Sequence, residues 1–157
     1  MTRSVINIDK CLFCPENTRP LFTPHLPLSG NLTCESAEGK TNSKVAHFGH
    51  VLEVGHWHSD MPGLTAQARI LAGSEGCPRQ IVEYSKLVYG FQCHMEFTRE
   101  VVELLIAASE TELANLTRHR FVQQPAALRA NDWDEMNQKL FTFLDKLIAE
   151  YQLASLS

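Results

Sequence analysis

The stretch Leu87-Val-Tyr-Gly-Phe-Gln-Cys-His-Met-Glu-Phe97 constrains this chain more than any other. Val88, Tyr89 and Phe91 are strand formers, the run follows the polar segment Glu83 to Lys86, and a helix start stands directly after it at Thr98. It reads as a buried strand that ends by presenting a histidine and a carboxylate. In extended chain, positions two apart point to the same side, so His94 and Glu96 can converge on one point beyond the strand's end. A carboxylate there accepts the proton of one ring nitrogen, fixes the tautomer and leaves the other nitrogen as a base. Taken alone, such a pair is weak evidence, since His-x-Glu arises by chance and a structural hydrogen bond is its commoner outcome.

The neighbourhood is more specific. Ser74-Glu-Gly-Cys-Pro-Arg-Gln80 is followed by a short strand through Tyr84 and then by Val88 to Glu96. This order resembles the second half of a class I glutamine amidotransferase domain of the GMP synthase type and its stand-alone relatives. The resemblance runs from about Gly30 to near the C-terminus and is most specific over Gly55 to Leu64 and Glu75 to Phe97. It implies an α/β, flavodoxin-like fold present in part, with short strands followed by covering helices. It also implies a Cys-His-Glu triad that releases ammonia from glutamine for transfer to an acceptor, with His94 and Glu96 as the histidine and glutamate. No cofactor is implied.

A second chemical stretch is Gly55-His-Trp-His-Ser-Asp60. His56, His58 and Asp60 fall on one side of an extended strand, and His-x-His-x-Asp is a fragment of a metallo-β-lactamase type of metal site. That motif needs a histidine directly after the aspartate, where this chain has Met61, and only His94 and His119 remain downstream as fourth ligands. The resemblance explains the stretch differently. It implies a loop whose backbone holds the amino-acid end of glutamine, here at His58, Ser59 and Asp60, with Ser59 where relatives commonly have glycine. Packing of Trp57 into the core is compatible with either.

The nucleophile is the conspicuous gap. Hydrolysis by this route needs a thiolate on a tight strand-to-helix turn with backbone N–H groups around the oxyanion. The family writes this as Gly-x-Cys-x-Gly, and no such motif occurs among the five cysteines. Cys11 and Cys14 lack flanking glycines, and Cys14 precedes Pro15, which cannot donate an N–H. Cys34 falls in an expected strand, Cys77 precedes a proline, and Cys93 points to the face opposite His94. Met95 also departs from the proline usual between the histidine and the glutamate. The expectation is an acid–base half without its nucleophile, inactive alone, with glutamine as ligand only if a nucleophile-bearing half complements it. A noncatalytic interaction or regulatory module built on the same remnant, and a His56/His58/Asp60 metal-dependent hydrolase, remain alternatives.

Organisation follows from composition and pattern. At 157 residues with 44% apolar content, the chain can build one globular core. Residues 1–29 carry four prolines, no sustained periodicity and the pair Cys11/Cys14, and read as an irregular leader outside the resemblance, before a domain over 30–157. Strands are expected over Asn31 to Ser36, His50 to Trp57, Arg69 to Ala72, Gln80 to Tyr84 and Leu87 to Gln92, with a turn at Glu38-Gly-Lys and a short helix from Ser43 closed by Gly49. Thr98 is an expected N-cap, Pro125 an interruption, and Trp133, Met136, Leu140, Leu144, Leu147 and Tyr151 the buried stripe of a final helix capped at Asp132.

A net charge of -4 argues against a general nucleic-acid or anionic-membrane binder. No apolar run is long enough to span a bilayer, and residues 1–10 lack the core of a signal peptide, so a cytoplasmic, reducing setting is expected. Without the missing half, strand and helix faces would lack their cover. An exposed edge or apolar patch is therefore expected, relieved by self-association or by an N-terminal half supplied as a partner chain.

Overall fold

A computed structural model describes residues 27–33, 37–58, 61–119 and 121–156. Residues 1–26, with the Cys11/Cys14 pair, lie outside them, as do Cys34, Ser59 and Asp60. Strand β1 (Pro27–Thr33) crosses the boundary expected at residue 30. It pairs antiparallel with β2 (Val51–Trp57), Pro27 opposite Trp57 and Thr33 opposite Val51. Between them lie a short helix α1 (Ala37–Thr41), where the sequence suggested only a turn, and a 3-10 turn at Ala46–Phe48. Gly49 closes that turn at φ 84, a left-handed conformation that a glycine adopts without steric cost.

Strands β3 (Arg69–Ala72), β4 (Ile81–Ser85) and β5 (Val88–Phe91) form an antiparallel meander in that order. Leu71 and Ile81 are fully buried in the core, and Val82, on the opposite face of β4, is fully buried as well. Gly55 of β2 and His94, just beyond β5, form an antiparallel bridge that joins the two sheets. All described strand pairs are antiparallel.

The covering helices are α2 (Arg99–Ala108), α3 (Glu110–Asn115), α4 (Pro125–Ala130) and α5 (Asp134–Ala154). The Thr98 side chain accepts from the Val101 N–H at 3.4 Å, which caps α2. Pro125 opens α4 rather than interrupting, because the first turn of a helix has no use for its missing N–H. The final helix follows Trp133, and the Asp132 carboxylate accepts from the Asp134 N–H at 3.0 Å.

The buried stripe of α5 differs from expectation. Trp133, Met136 and Phe143 are buried with Leu140 and Leu147 beside them, whereas Leu144 and Tyr151 face solvent. The core positions step by three, four, three and four residues from Trp133 to Leu147, so the inward face passes through Phe143 rather than its neighbour Leu144. Phe143 packs edge-on against Tyr89 and Phe91 of β5 with centroids 5.2 and 4.9 Å away. Lys44, almost wholly buried, pairs with Glu150, and Lys139 and Lys146 donate to the carbonyls of His47 and Ser43 at 2.8 and 3.0 Å. Burial opposes the charge on Lys44, but Glu150 and Tyr89 outweigh it and raise its pKa.

The opposite face of α5 is uncovered: Phe141 and Tyr151 are each 63% exposed and Ile148 54%. On β5, at the edge of its sheet, Val88 is exposed as well.

Candidate functional site

The strand that should deliver His94 stops earlier than its sequence suggests. β5 ends at Phe91, and its residues are half-buried or exposed rather than buried. Contact with the β4 side runs one residue further, with the Gln92 N–H donating to the Gln80 carbonyl at 2.9 Å. His94 then pairs with Gly55 through two backbone hydrogen bonds of 2.8 and 3.0 Å. Alternation survives without the strand. Met95 and Phe97 are buried, while Glu96 is exposed and His94 partly so.

The first close pair is His94 and Glu96. Nδ1 of His94 lies 2.6 Å from Oε1 of Glu96. A carboxylate can only accept, so Nδ1 carries the proton and Nε2 retains the lone pair of a base. This hydrogen bond is the first cause of a Glu96 pKa below the usual carboxylate range, against the opposing effect of burial. The imidazole is stacked on the Phe97 ring, centroids 4.6 Å apart and planes 8° from parallel. Two constraints, one polar and one apolar, thus fix the ring.

The backbone beneath it is also held. The Asn137 side chain on α5 donates to the carbonyls of Met95 and Phe97, the latter at 3.1 Å. Gly55 permits the close approach on the other side. A Cβ at that position would overlap the Phe97 ring and sit 3.0 Å from the His94 carbonyl oxygen.

Of the loop expected to hold a ligand, His58 is described and half-buried, and Ser59 and Asp60 lie outside the described residues. His58 Nε2 lies 3.3 Å from Nδ1 of the buried His56. Burial, then the charges of His58 and His94, lower the His56 pKa to about 3. His56 is therefore neutral at ordinary pH and contacts Gln80 through its other nitrogen. Among the described residues no group of three or more His, Cys, Asp or Glu side chains is arranged to hold a metal ion. His119 is exposed, away from the core.

Cys93 and Cys77 are buried, and the Cys93 sulfur faces the Gln80 carbonyl at 3.8 Å. Sequence reasoning missed Gln80, Asn137 and Phe97. Asn137 directly follows Met136 in the apolar stripe, the one local signal that a polar side chain stands at a buried boundary.

No protein-family model matches the chain. Its mixed α/β architecture is that of glutamine amidotransferase folds, and its relatives support a glutamine amidotransferase-like domain. The similarity in sequence is to the glutamine amidotransferase-like protein YfeJ of Salmonella typhimurium, 59% identical over 109 residues, which are 69% of this chain and 46% of that protein. In structure it is similar to SMU.1228c, with a TM-score of 0.74 and 40% identity over 81% of this chain and 54% of the other. A glutamine amidotransferase from Methylobacillus flagellatus gives 0.70 at 20% identity, covering 82% of this chain and 54% of that one. One from Thermotoga maritima gives 0.64 at 21%, covering 79% and 50%. The chain spans about half the length of each. Among the described residues no helix is long and apolar enough to cross a membrane.

Proposed function

We propose that this chain carries the acid–base half of a glutamine-hydrolysing site, with His94 as general base and acid and Glu96 as the group that orients it. The observation that carries this reading is the 2.6 Å contact between His94 Nδ1 and Glu96 Oε1, which leaves Nε2 as the basic nitrogen. Nε2 of His94 would take the proton of a cysteine thiol supplied by a complementing N-terminal half, and the resulting thiolate would attack the side-chain amide carbon of glutamine. His94 would protonate the departing nitrogen as the C–N bond breaks, releasing ammonia and leaving a thioester. The same Nε2 would then take a proton from water as it attacks, giving glutamate and regenerating the thiolate. His58, Ser59 and Asp60 are proposed to hold the amino-acid end of the ligand.

The test is a glutaminase assay on the chain alone and mixed with a separately expressed N-terminal half of a full-length relative. Activity only in the mixture, abolished by His94→Ala, is the expected result. Activity in the chain alone, lost on replacing Cys11 or Cys14, would overturn the missing nucleophile. The exposed apolar residues of α5 favour a second reading, a noncatalytic interaction module. That reading requires the two halves to associate without turnover, and the biological effect to survive His94→Ala.

A further inference from the structure

The side chains of His94 and Glu96 are 34% and 60% exposed. A contact that open to water biases an equilibrium by about fivefold at most, too little to dictate the backbone that carries it. The pair therefore inherits its geometry from whatever fixes residues 94 to 97.

No strand ladder does so beyond His94. β5 ends at Phe91, and the Gly55 bridge engages the N–H and carbonyl of His94 alone. The next carbonyls on one edge, those of Met95 and Phe97, are met instead by a side chain of the last helix. The Asn137 amide donates to both, the second at 3.1 Å. In an extended chain, residues two apart share an edge, so Asn137 takes the place of a neighbouring strand.

The amide can face them only one way. Turned over, its oxygen would meet two carbonyl oxygens and its two hydrogens would lose those acceptors. Its mounting is rigid as well. Met136 beside it is fully buried, and Trp133 one turn earlier is buried with its ring edge-on to that of Phe97, centroids 6.1 Å apart. Two hydrogen bonds from a side chain so held outweigh one exposed contact, which gives the direction of cause.

We infer that Asn137 is a positioning residue: by fixing the backbone on either side of Glu96 it aims that carboxylate at Nδ1 of His94. For its part in turnover the inference rests on the proposed function. The demand is for two donors on one short side chain, which serine, aspartate and alanine do not supply.

The experiment titrates the Glu96 carboxyl in the full chain by carbon NMR, with Glu96→Gln to assign the resonance. In the wild type the hydrogen bond from His94 is the first cause of a Glu96 pKa below the usual carboxylate range. That pKa should rise in Asn137→Ser, which keeps one donor, and further in Asn137→Ala, which keeps none. Leu147→Ala loosens the same helix from the core ten residues further on and should leave it in place. An unchanged Glu96 pKa in a folded Asn137 variant, or an equal rise in Leu147→Ala, would overturn the inference. In the complemented complex, Asn137→Ser should lower kcat about tenfold with KM unchanged, because a misplaced base costs turnover rather than binding. Unchanged kcat, or an effect confined to KM, would remove Asn137 from the chemistry. A wild-type complex that shows the depressed Glu96 pKa but no turnover would instead count against the proposed function, the aiming of Glu96 itself standing.

Discussion

Asn137 and Met95 lie 42 positions apart in the chain, and the side-chain amide of the first donates to the backbone carbonyl of the second. The same amide also reaches the Phe97 carbonyl, so one residue of the last helix spans the segment that carries Glu96. Asn137→Ala should cost about 1–3 kcal/mol, because it strands two carbonyls flanked by buried side chains. Asn137→Asp should cost more at neutral pH, since an ionised carboxylate offers no donor to either. Urea unfolding midpoints of the three proteins check both.

In the complemented enzyme, His94→Ala should lower the glutaminase rate by about 10²–10⁴, the range expected for loss of a positioned general base. Glu96→Ala should lower it less, because the Phe97 stack still limits the ring. Steady-state kinetics on the mixture separates the two. Equal losses would mean that the Glu96 contact alone orients His94.

Acid should destabilise the fold through His56. In the unfolded chain its imidazole titrates near 6.5, whereas in the folded chain burial, then His58 and His94, hold it at about 3. As pH falls, the unfolded state binds the proton first. The His56 contribution is thus complete above about 6.5 and is lost on the way down to about 3. Each pH unit is worth roughly 1.4 kcal/mol, so stability should fall by about 2–3 kcal/mol between pH 6.5 and 4.5. Glu96 acts in the same direction at the low end of that window, since its depressed pKa makes its contribution one that falling pH removes. Urea titrations of His56→Gln should show the shallower slope.

Gly55→Ala should destabilise by about 1–3 kcal/mol, because the added methyl meets the Phe97 ring and the His94 carbonyl. Melting temperature checks the stability. Proton resonances of the His94 ring, which feel the ring current of Phe97, should shift with it.

The open face of α5 should drive association. Phe141→Lys combined with Ile148→Glu removes two exposed apolar residues without touching the core. Unfolding free energy should change by less than about 0.5 kcal/mol. Sedimentation velocity should show a self-associating wild type and a monomeric double variant.

Much of this architecture is written locally. Strand-forming runs at Val51–Trp57 and Val88–Phe91, the Thr98 cap and Gly49 each follow from residues close by in sequence, although β5 is shorter and less buried than its residues suggest. His94 and Glu96 meet because two-residue alternation persists even where the strand has ended. What local pattern could not supply was the shell around them. Gln80, Asn137 and Phe97 act through contacts set by tertiary packing, and an isolated glutamine or asparagine carries no periodicity that marks it as buried. Pro125 misled for a related reason: a proline breaks a helix from inside but starts one from its first turn. The α5 stripe missed at one step because Phe143 and Leu144 are adjacent apolar residues, and the pattern of apolar positions alone does not say which of the two faces the core.

The Gly55–His94 bridge and the Asn137 clamp hold one short segment from both directions along the chain. During synthesis the segment around His94 leaves the ribosome after its Gly55 partner but well before α5. Its second anchor arrives only with the last helix. The geometry of the His94–Glu96 pair is therefore a late event in the life of each new molecule, and a chain cut short before Trp133 would hold the histidine and glutamate in sequence without holding them in place.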